Sequence, residues 1–371
     1  MNKAFILFDL QNLFKKALAV APDTHLDLLY DQKQYYPLLL TIKQILSSYR
    51  LIKNKYQAIP VFINDYGHRD RGDYKKNRYT VSGKYIFEEN MKATIRKEIY
   101  DSSLSITRDI DIEEAYKEWK KYQFDKVKEF CKLFGIYTST YEVEADEIIA
   151  FFIHQNKDNG DYFYIVSSDK DFLQLTLFNN VFLVDIRDRK KTIVHKEMWQ
   201  IEDYVAQRLF GKKYIYPVPL ELFVLGQAIY GDKADNVNGI SGVGTKTTQE
   251  ILYTLKDKKE VIKQYTIENK AQELWDLLLT NLQDKKKLYN KLNNKYDEFQ
   301  NSFKEVNLLS MDTLREKIGI ERMLDIQRNL QSIDKVKQMG FYELLHRNSK
   351  QYKQLIQFFK GIERPSLIKL L

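Results

Sequence analysis

The sequence predicts an α/β domain built on a mainly parallel central sheet, followed by a mainly helical C-terminal region. Three observations lead there. Residues 4–9 ("AFILFD"), 58–65 ("AIPVFIND") and 162–171 ("YFYIVSSDKD") share one design, an apolar run that ends in an acid. Such runs read as parallel strands buried on both faces. Helix-periodic stretches lie between them, and alternating strands and helices place helices on both faces of a sheet. From about residue 219 onward no segment reads as a strand.

Taken in order, the opening "MNKAFILFDLQNLF" has one lysine and an aspartate inside a short apolar stretch. That is a poor signal peptide and a good buried strand. Residues 37–52 are helical in pattern, with Pro37 suited to a first turn. Residues 66–110 fit neither pattern and are basic, carrying Arg69, Arg71, Lys75, Lys76, Arg78, Lys84, Lys92, Arg96 and Lys97; they read as a long insertion. In 111–135, Ile112, Ala115, Trp119, Tyr122, Val127, Phe130 and Phe134 follow helical spacing, and Gly135 stops it. The expected division is 1–218 for the α/β domain and 219–371 for the helical one.

Composition narrows the chemistry. The 371 residues include 44% hydrophobic and 30% charged residues and carry a net charge of +8, which suits a soluble protein with a polyanionic partner. No apolar run reaches the roughly 18 residues a membrane helix needs. The single cysteine, Cys131, excludes an internal disulfide framework and fits a reducing cytoplasm. With five scattered histidines it also excludes a Cys/His zinc site.

The acids are the main functional signal. "VEADEIIAFF" (143–152) sets Glu144, Asp146 and Glu147 at a helix start, where one or two would satisfy the dipole. Ligands in parallel sheets sit beyond the carboxyl ends of the strands, and Asp9, Asp65, Asp169 and Asp171 fall at such ends. Alone, each is as well explained as a strand-end or helix cap. Together they need a counter-charge, and hard divalent cations take oxygen ligands. Asp9, Asp65, Glu144 and Asp146 form one expected group, and Asp169, Asp171 and Asp232 another. Glu147 is expected to act through bound water. Two ions about 3.5–4 Å apart can clamp both reacting oxygens of a phosphodiester.

Two further stretches point to phosphate. In "DYKKNR" (73–78), Lys75 and Arg78, three apart, can share a helix face and neutralise a scissile phosphate, Lys76 adds charge, and Tyr74 can stack a base; alone, the run also reads as a solvated charged face and Tyr74 as a structural residue. In "NGISGVGTKTTQEIL" (238–252), Gly239, Gly242 and Gly244 precede Lys246 and an amphipathic helix. The spacing is not that of a nucleotide-binding phosphate loop. It fits a hairpin between two helices that holds duplex backbone without reading bases.

These motifs together, in order over residues 4–255, resemble the 5′-nuclease superfamily (flap endonuclease, 5′–3′ exonuclease), most closely its bacteriophage ribonuclease H-like branch. "FDLQNLF", "YKKNR", "VEADEIIA", "VSSDKDFLQL" and "GDKADNVNGISGVGTKT" carry the resemblance. It departs at Glu147, where relatives often have Asp, and at Leu10–Gln11, where they often have Gly. The resemblance implies a PIN-like fold and a helical arch over 66–110 through which a free 5′ strand passes. It implies two Mg²⁺ (or Mn²⁺) ions, with Asp235 joining Asp169, Asp171 and Asp232. It makes Lys75 and Arg78 the catalytic basic pair, with a duplex-binding helix-hairpin-helix over about 233–256 that holds a K⁺ ion on main-chain carbonyls.

The expected protein is a divalent-metal-dependent 5′–3′ nuclease that removes 5′ flaps or RNA primers, acting as a cytoplasmic monomer. Its partners would be DNA with a 5′ flap or free 5′ end, RNA–DNA primer hybrids, and a single-stranded DNA-binding protein. A PIN-type endoribonuclease and a non-catalytic branched-DNA-binding subunit stay open as alternatives. The tail beyond residue 260 carries no recognised motif.

Overall fold

A computed structural model describes residues 3–19, 36–65, 112–187, 191–233, 235–330 and 350–362. Strand β1 (Lys3–Asp9) runs into helix α1 (Leu10–Ala19). Then come α2 (Tyr36–Lys53), β2 (Gln57–Ile63), α3 (Ile112–Phe134), β3 (Ile136–Thr138), α4 (Ala145–Asn156) and β4 (Tyr162–Ser167). A 3-10 turn (Asp171–Leu177), β5 (Val181–Asp185), β6 (Thr192–Val194) and α5 (Ile201–Phe210) follow. The described remainder is helical: α6 (Phe223–Tyr230), α7 (Thr245–Leu255), α8 (Lys259–Ile267), α9 (Ala271–Leu282), α10 (Lys286–Leu292), α11 (Tyr296–Val306), α12 (Met311–Ile318), α13 (Ile320–Leu330) and α14 (Lys350–Gly361).

The sheet runs β3-β2-β1-β4-β5-β6. Every neighbouring pair is parallel except β5 with β6. The apolar runs of β1, β2 and β4 are buried almost end to end, as central strands covered on both faces require. Phe8 stacks on Phe62 at 4.9 Å and Phe5 on Phe163 at 5.7 Å, so neighbouring strands also lock through their aromatics. Strand order reverses between β1 and β4. That is the switch point where the carboxyl ends open a crevice, and Asp9 and Asp169 lie beside it.

The sequence reading anticipated three strands; β3, β5 and β6 are additional. β3 and β6 are three residues each, too short to show a period. β4 ends at Ser167, and Asp171 opens the 3-10 turn instead of closing the strand. Helix α3 stops where Gly135 donates its N–H to Cys131 O (2.9 Å). A β-carbon at Gly135 would lie 2.5 Å from Pro60 O, so this helix end packs directly on β2.

The segment beyond residue 260 is tied to the sheet layer. Gln174, in the 3-10 turn, donates to Val306 O (3.0 Å) and accepts from Leu308 N (2.7 Å). His154 of α4 meets Leu308 O at 3.1 Å. On the opposite flank, Phe130 of α3 contacts Phe358 and Phe359 of α14, with centroids 5.9 and 5.8 Å away. Among the described residues no helix is long and apolar enough to cross a membrane.

Candidate metal centre

Asp9 closes β1 and is 7% exposed. Its carboxylate accepts from Asn12 N–H (3.1 Å) and Ser167 Oγ–H (3.1 Å), which joins the ends of β1 and β4. Burial, then repulsion from Asp65, pushes its pKa up to about 7. Asp65, two residues beyond β2, accepts the N–H of Ala145 (2.7 Å) at the first residue of α4. A strand-end carboxylate therefore rests on the positive end of that helix.

The acids of 144–147 divide along the helix. Glu144 is the N-cap. Asp146 Oδ1 accepts from Glu147 N–H (2.9 Å). Enclosure, then repulsion from Glu144 and Glu147, drives the Asp146 carboxyl well above its usual range. Asp169 repels both Asp9 and Asp146, so the two expected groups meet at this one edge. Glu147 is fully buried. One of its oxygens accepts from Glu144 N–H (3.2 Å), and the other lies 3.8 Å from Lys317 Nζ. Its carboxylate thus braces the helix start and a buried ammonium from α12.

The second group is tighter. Asp171, Asp232 and Asp235 bring carboxylate oxygens within 4.8 Å of one another. Among the described residues no such triplet includes Asp9, Asp65, Glu144 or Asp146. Asp171 receives Gln227 Nε2–H (2.6 Å). Burial, then repulsion from Asp169, Asp235 and Asp232, raises its pKa well above the ordinary value. Lys170 Nζ lies 2.9 Å from Asp232. Asp169 takes the Asp171 N–H on its Oδ1 (3.0 Å), which offsets part of its own upward shift from burial. The loop carrying Asp232 and Asp235 is pinned by paired bonds between Asp232 and Val237, 2.8 Å each way. Gly231 and Gly239 (φ +82° and +66°) close it, and a β-carbon on Gly239 would meet Gly231 N at 2.4 Å. Only glycine permits both the left-handed turn and that approach. Three clustered carboxylates, two of them buried, fit a divalent cation by their donor chemistry.

Lys75, Arg78, Tyr74 and Lys76 lie outside the described residues. Gly242 and Gly244 sit on the exposed turn before α7, with nothing within 4 Å of an added β-carbon at either. Lys246 is exposed in the first turn of α7. Several residues at the site escaped the sequence reading. Asn12 and Ser167 stood inside quoted motifs, and the Asp-x-Asp spacing already set Lys170 between two acids. Arg208, which donates to Ser168 O (2.7 Å) behind Asp169, and Lys317 come from distant helices and left no local signal.

A family model described as "5'-3' exonuclease, N-terminal resolvase-like domain" matches residues 68–206. The chain is 31% identical over 198 residues to DNA polymerase I of Rhizobium leguminosarum, covering 53% of this chain and 17% of that protein. It is 31% identical over 146 residues to a 5′–3′ exonuclease of Aquifex aeolicus, covering 39% of this chain and 45% of that one. The matches thus span less than half the length of these curated relatives. A crystal structure of a bacteriophage T5 flap endonuclease, in a pseudo-enzyme-product complex with DNA and metal ions, superposes with a TM-score of 0.55 at 17% identity. It covers 89% of this chain and 98% of that one. A T5 5′-exonuclease with bound zinc gives 0.54 at 18%, covering 89% and 99%. At that identity the likeness establishes the fold.

Proposed function

We propose that this chain, which carries a 5′–3′ exonuclease-type domain related to bacterial and phage enzymes, is a divalent-metal-dependent 5′ nuclease acting on DNA. The observation that carries the reading is the convergence of Asp171, Asp232 and Asp235 beside Asp169, at the sheet edge where Asp9 also ends a strand. In this reading Asp9, Asp65, Glu144 and Asp146 hold one Mg²⁺ or Mn²⁺, and Asp169, Asp171, Asp232 and Asp235 hold a second. Such ions, when bound, lower the pKa of a water and offset charge on the reacting phosphate.

The chain's own residues do the rest. Asn12, Ser167 and the α4 N-terminus aim Asp9 and Asp65 before any ligand arrives. Lys75 and Arg78, on the basic stretch that we read as the arch, neutralise the scissile phosphate. Tyr74 and Lys76 bind the 5′ strand beside them. Gly242, Gly244 and Lys246 meet duplex phosphates at the open turn before α7, where the first amides of a helix face outward. The PIN-like description of the sheet, the ribonuclease H-like action on RNA primers and a single-stranded DNA-binding partner belong to the same proposal. So does the division at about residue 218.

The test is cleavage of a 5′-flap duplex by purified protein. Hydrolysis in Mg²⁺ that stops on chelation, releasing the flap and leaving a 5′ phosphate on the strand that stays in the duplex, is expected. Binding without cleavage in Mg²⁺ or Mn²⁺ would favour the non-catalytic subunit, and cleavage of RNA alone would favour the endoribonuclease.

A further inference from the structure

The turn between α6 and α7 is held from behind by α11. Gly239 N–H donates to Ser302 Oγ (3.1 Å). Ser241 N–H donates to Glu298 Oε2 (2.6 Å), and its hydroxyl donates to Oε1 (3.1 Å). Lys295 Nζ donates to the Ser241 carbonyl oxygen (2.6 Å) and to the same hydroxyl oxygen. Lys295 and Glu298 face each other at 3.6 Å. Lys295 caps the start of α11, and Glu298 and Ser302 lie four apart on that helix, so one helix and its cap supply the whole brace. Four residues before Lys295, Lys291 donates to Thr247 Oγ1 (3.1 Å) in the first turn of α7.

A carbonyl turned toward a phosphate-binding surface opposes the phosphate, and a cation on that carbonyl removes the conflict. The family resemblance implies a K⁺ on main-chain carbonyls of this hairpin. At Ser241 such an ion does not fit. The Ser241 carbonyl and hydroxyl oxygens already receive an ammonium, and a second monovalent cation on them would lie against it. Glu298 pairs with that ammonium at 3.6 Å and accepts the turn's own Ser241 N–H, so both stay fixed on Ser241.

We propose that Lys295 is the resident cation of this hairpin, so that duplex binding does not depend on a monovalent ion from solution. The inference rests on the proposed duplex-binding role of the hairpin. The test uses the full chain in chelator, with duplex affinity measured by fluorescence anisotropy at one ionic strength. The salts are the chlorides of K⁺, Na⁺ and tetramethylammonium, the last too large to sit on a carbonyl. The wild type should give the same Kd in all three, within about twofold. Lys295→Met should bind about fivefold more weakly in tetramethylammonium and recover most of that loss in K⁺. A wild-type affinity that falls about fivefold or more when K⁺ is replaced would show that the hairpin uses a soluble ion and would overturn the proposal. That arm needs no variant, so a folding defect cannot obscure it. Lys295→Met binding like the wild type in every salt would overturn it too. A wild type that binds duplex in none of the salts would sink both this inference and the duplex-binding reading beneath it.

Discussion

The two carboxylate groups meet the same electrostatic problem in different ways. Asp9, Asp65 and Glu147 are each answered by donors close at hand: the Asn12 N–H and Ser167 hydroxyl, the Ala145 N–H, and the Glu144 N–H with Lys317. Asp171, Asp232 and Asp235 instead crowd within 4.8 Å, with Gln227 on one and Lys170 on another. The first group is shaped largely by the fold. The second brings three carboxylates together within 4.8 Å, and a site of that kind couples its stability to a bound cation.

The largest effect should come from breaking the tight group. Asp171→Asn or Asp232→Asn should lower single-turnover flap cleavage by on the order of 10³ and leave duplex binding within about twofold. Either variant cleaving at the wild-type rate would remove the triplet from the chemistry.

Next in size is the buried pair of Glu147 and Lys317. Glu147→Gln leaves a buried ammonium facing a neutral amide and should cost about 3 kcal/mol in urea denaturation. Glu147→Gln with Lys317→Met should recover most of it. Cleavage by Glu147→Gln should persist at a raised Mg²⁺ requirement, whereas Glu144→Gln and Asp146→Asn should lose nearly all of it. Equal inactivation of the three would place Glu147 among the ligands.

The pH response separates burial from pairing. Asp9 has a folded pKa of about 7 against an ordinary 3.8, so the folded chain holds that proton more tightly than the unfolded chain. Its stabilisation is present in full below pH 3.8 and is lost as pH rises through about 7. In chelator, Asp9→Asn should therefore melt at a higher temperature than the wild type at pH 8, and the gap should narrow steadily as the pH is lowered toward 3.8. A constant gap would mean that Asp9 is already ionised in the acidic protein.

The hairpin gives the smallest effects. A valine β-carbon at Gly244 meets no protein atom, so Gly244→Val should keep the melting temperature and weaken duplex binding. Lys246→Ala should reduce the slope of log K against log salt by about 0.9. Unchanged slope and affinity in both variants would leave the turn a purely structural element.

What was legible in the chain follows from range. β1, β2 and β4 announced themselves because central parallel strands are continuous apolar runs, and their terminal acids marked the crevice. Three-residue β3 and β6 have no room for a pattern. Asp232 was read with the other acids and Asp235 came only through the family resemblance, yet their contact with Asp171 depends on how Gly231 and Gly239 fold the loop back. Lys317, Glu298 and Lys295 were out of reach, because each acts on a motif that lies far from it in sequence.

Manganese titration tests the central claim most directly. Mn²⁺ would be titrated calorimetrically into chelator-treated wild type and Asp232→Asn, with no DNA present. If the crowded aspartates await a cation, Asp232→Asn should lose one binding event or about tenfold or more in its affinity. Identical stoichiometry and affinity in the two proteins would contradict the claim that Asp171, Asp232 and Asp235 form a metal site.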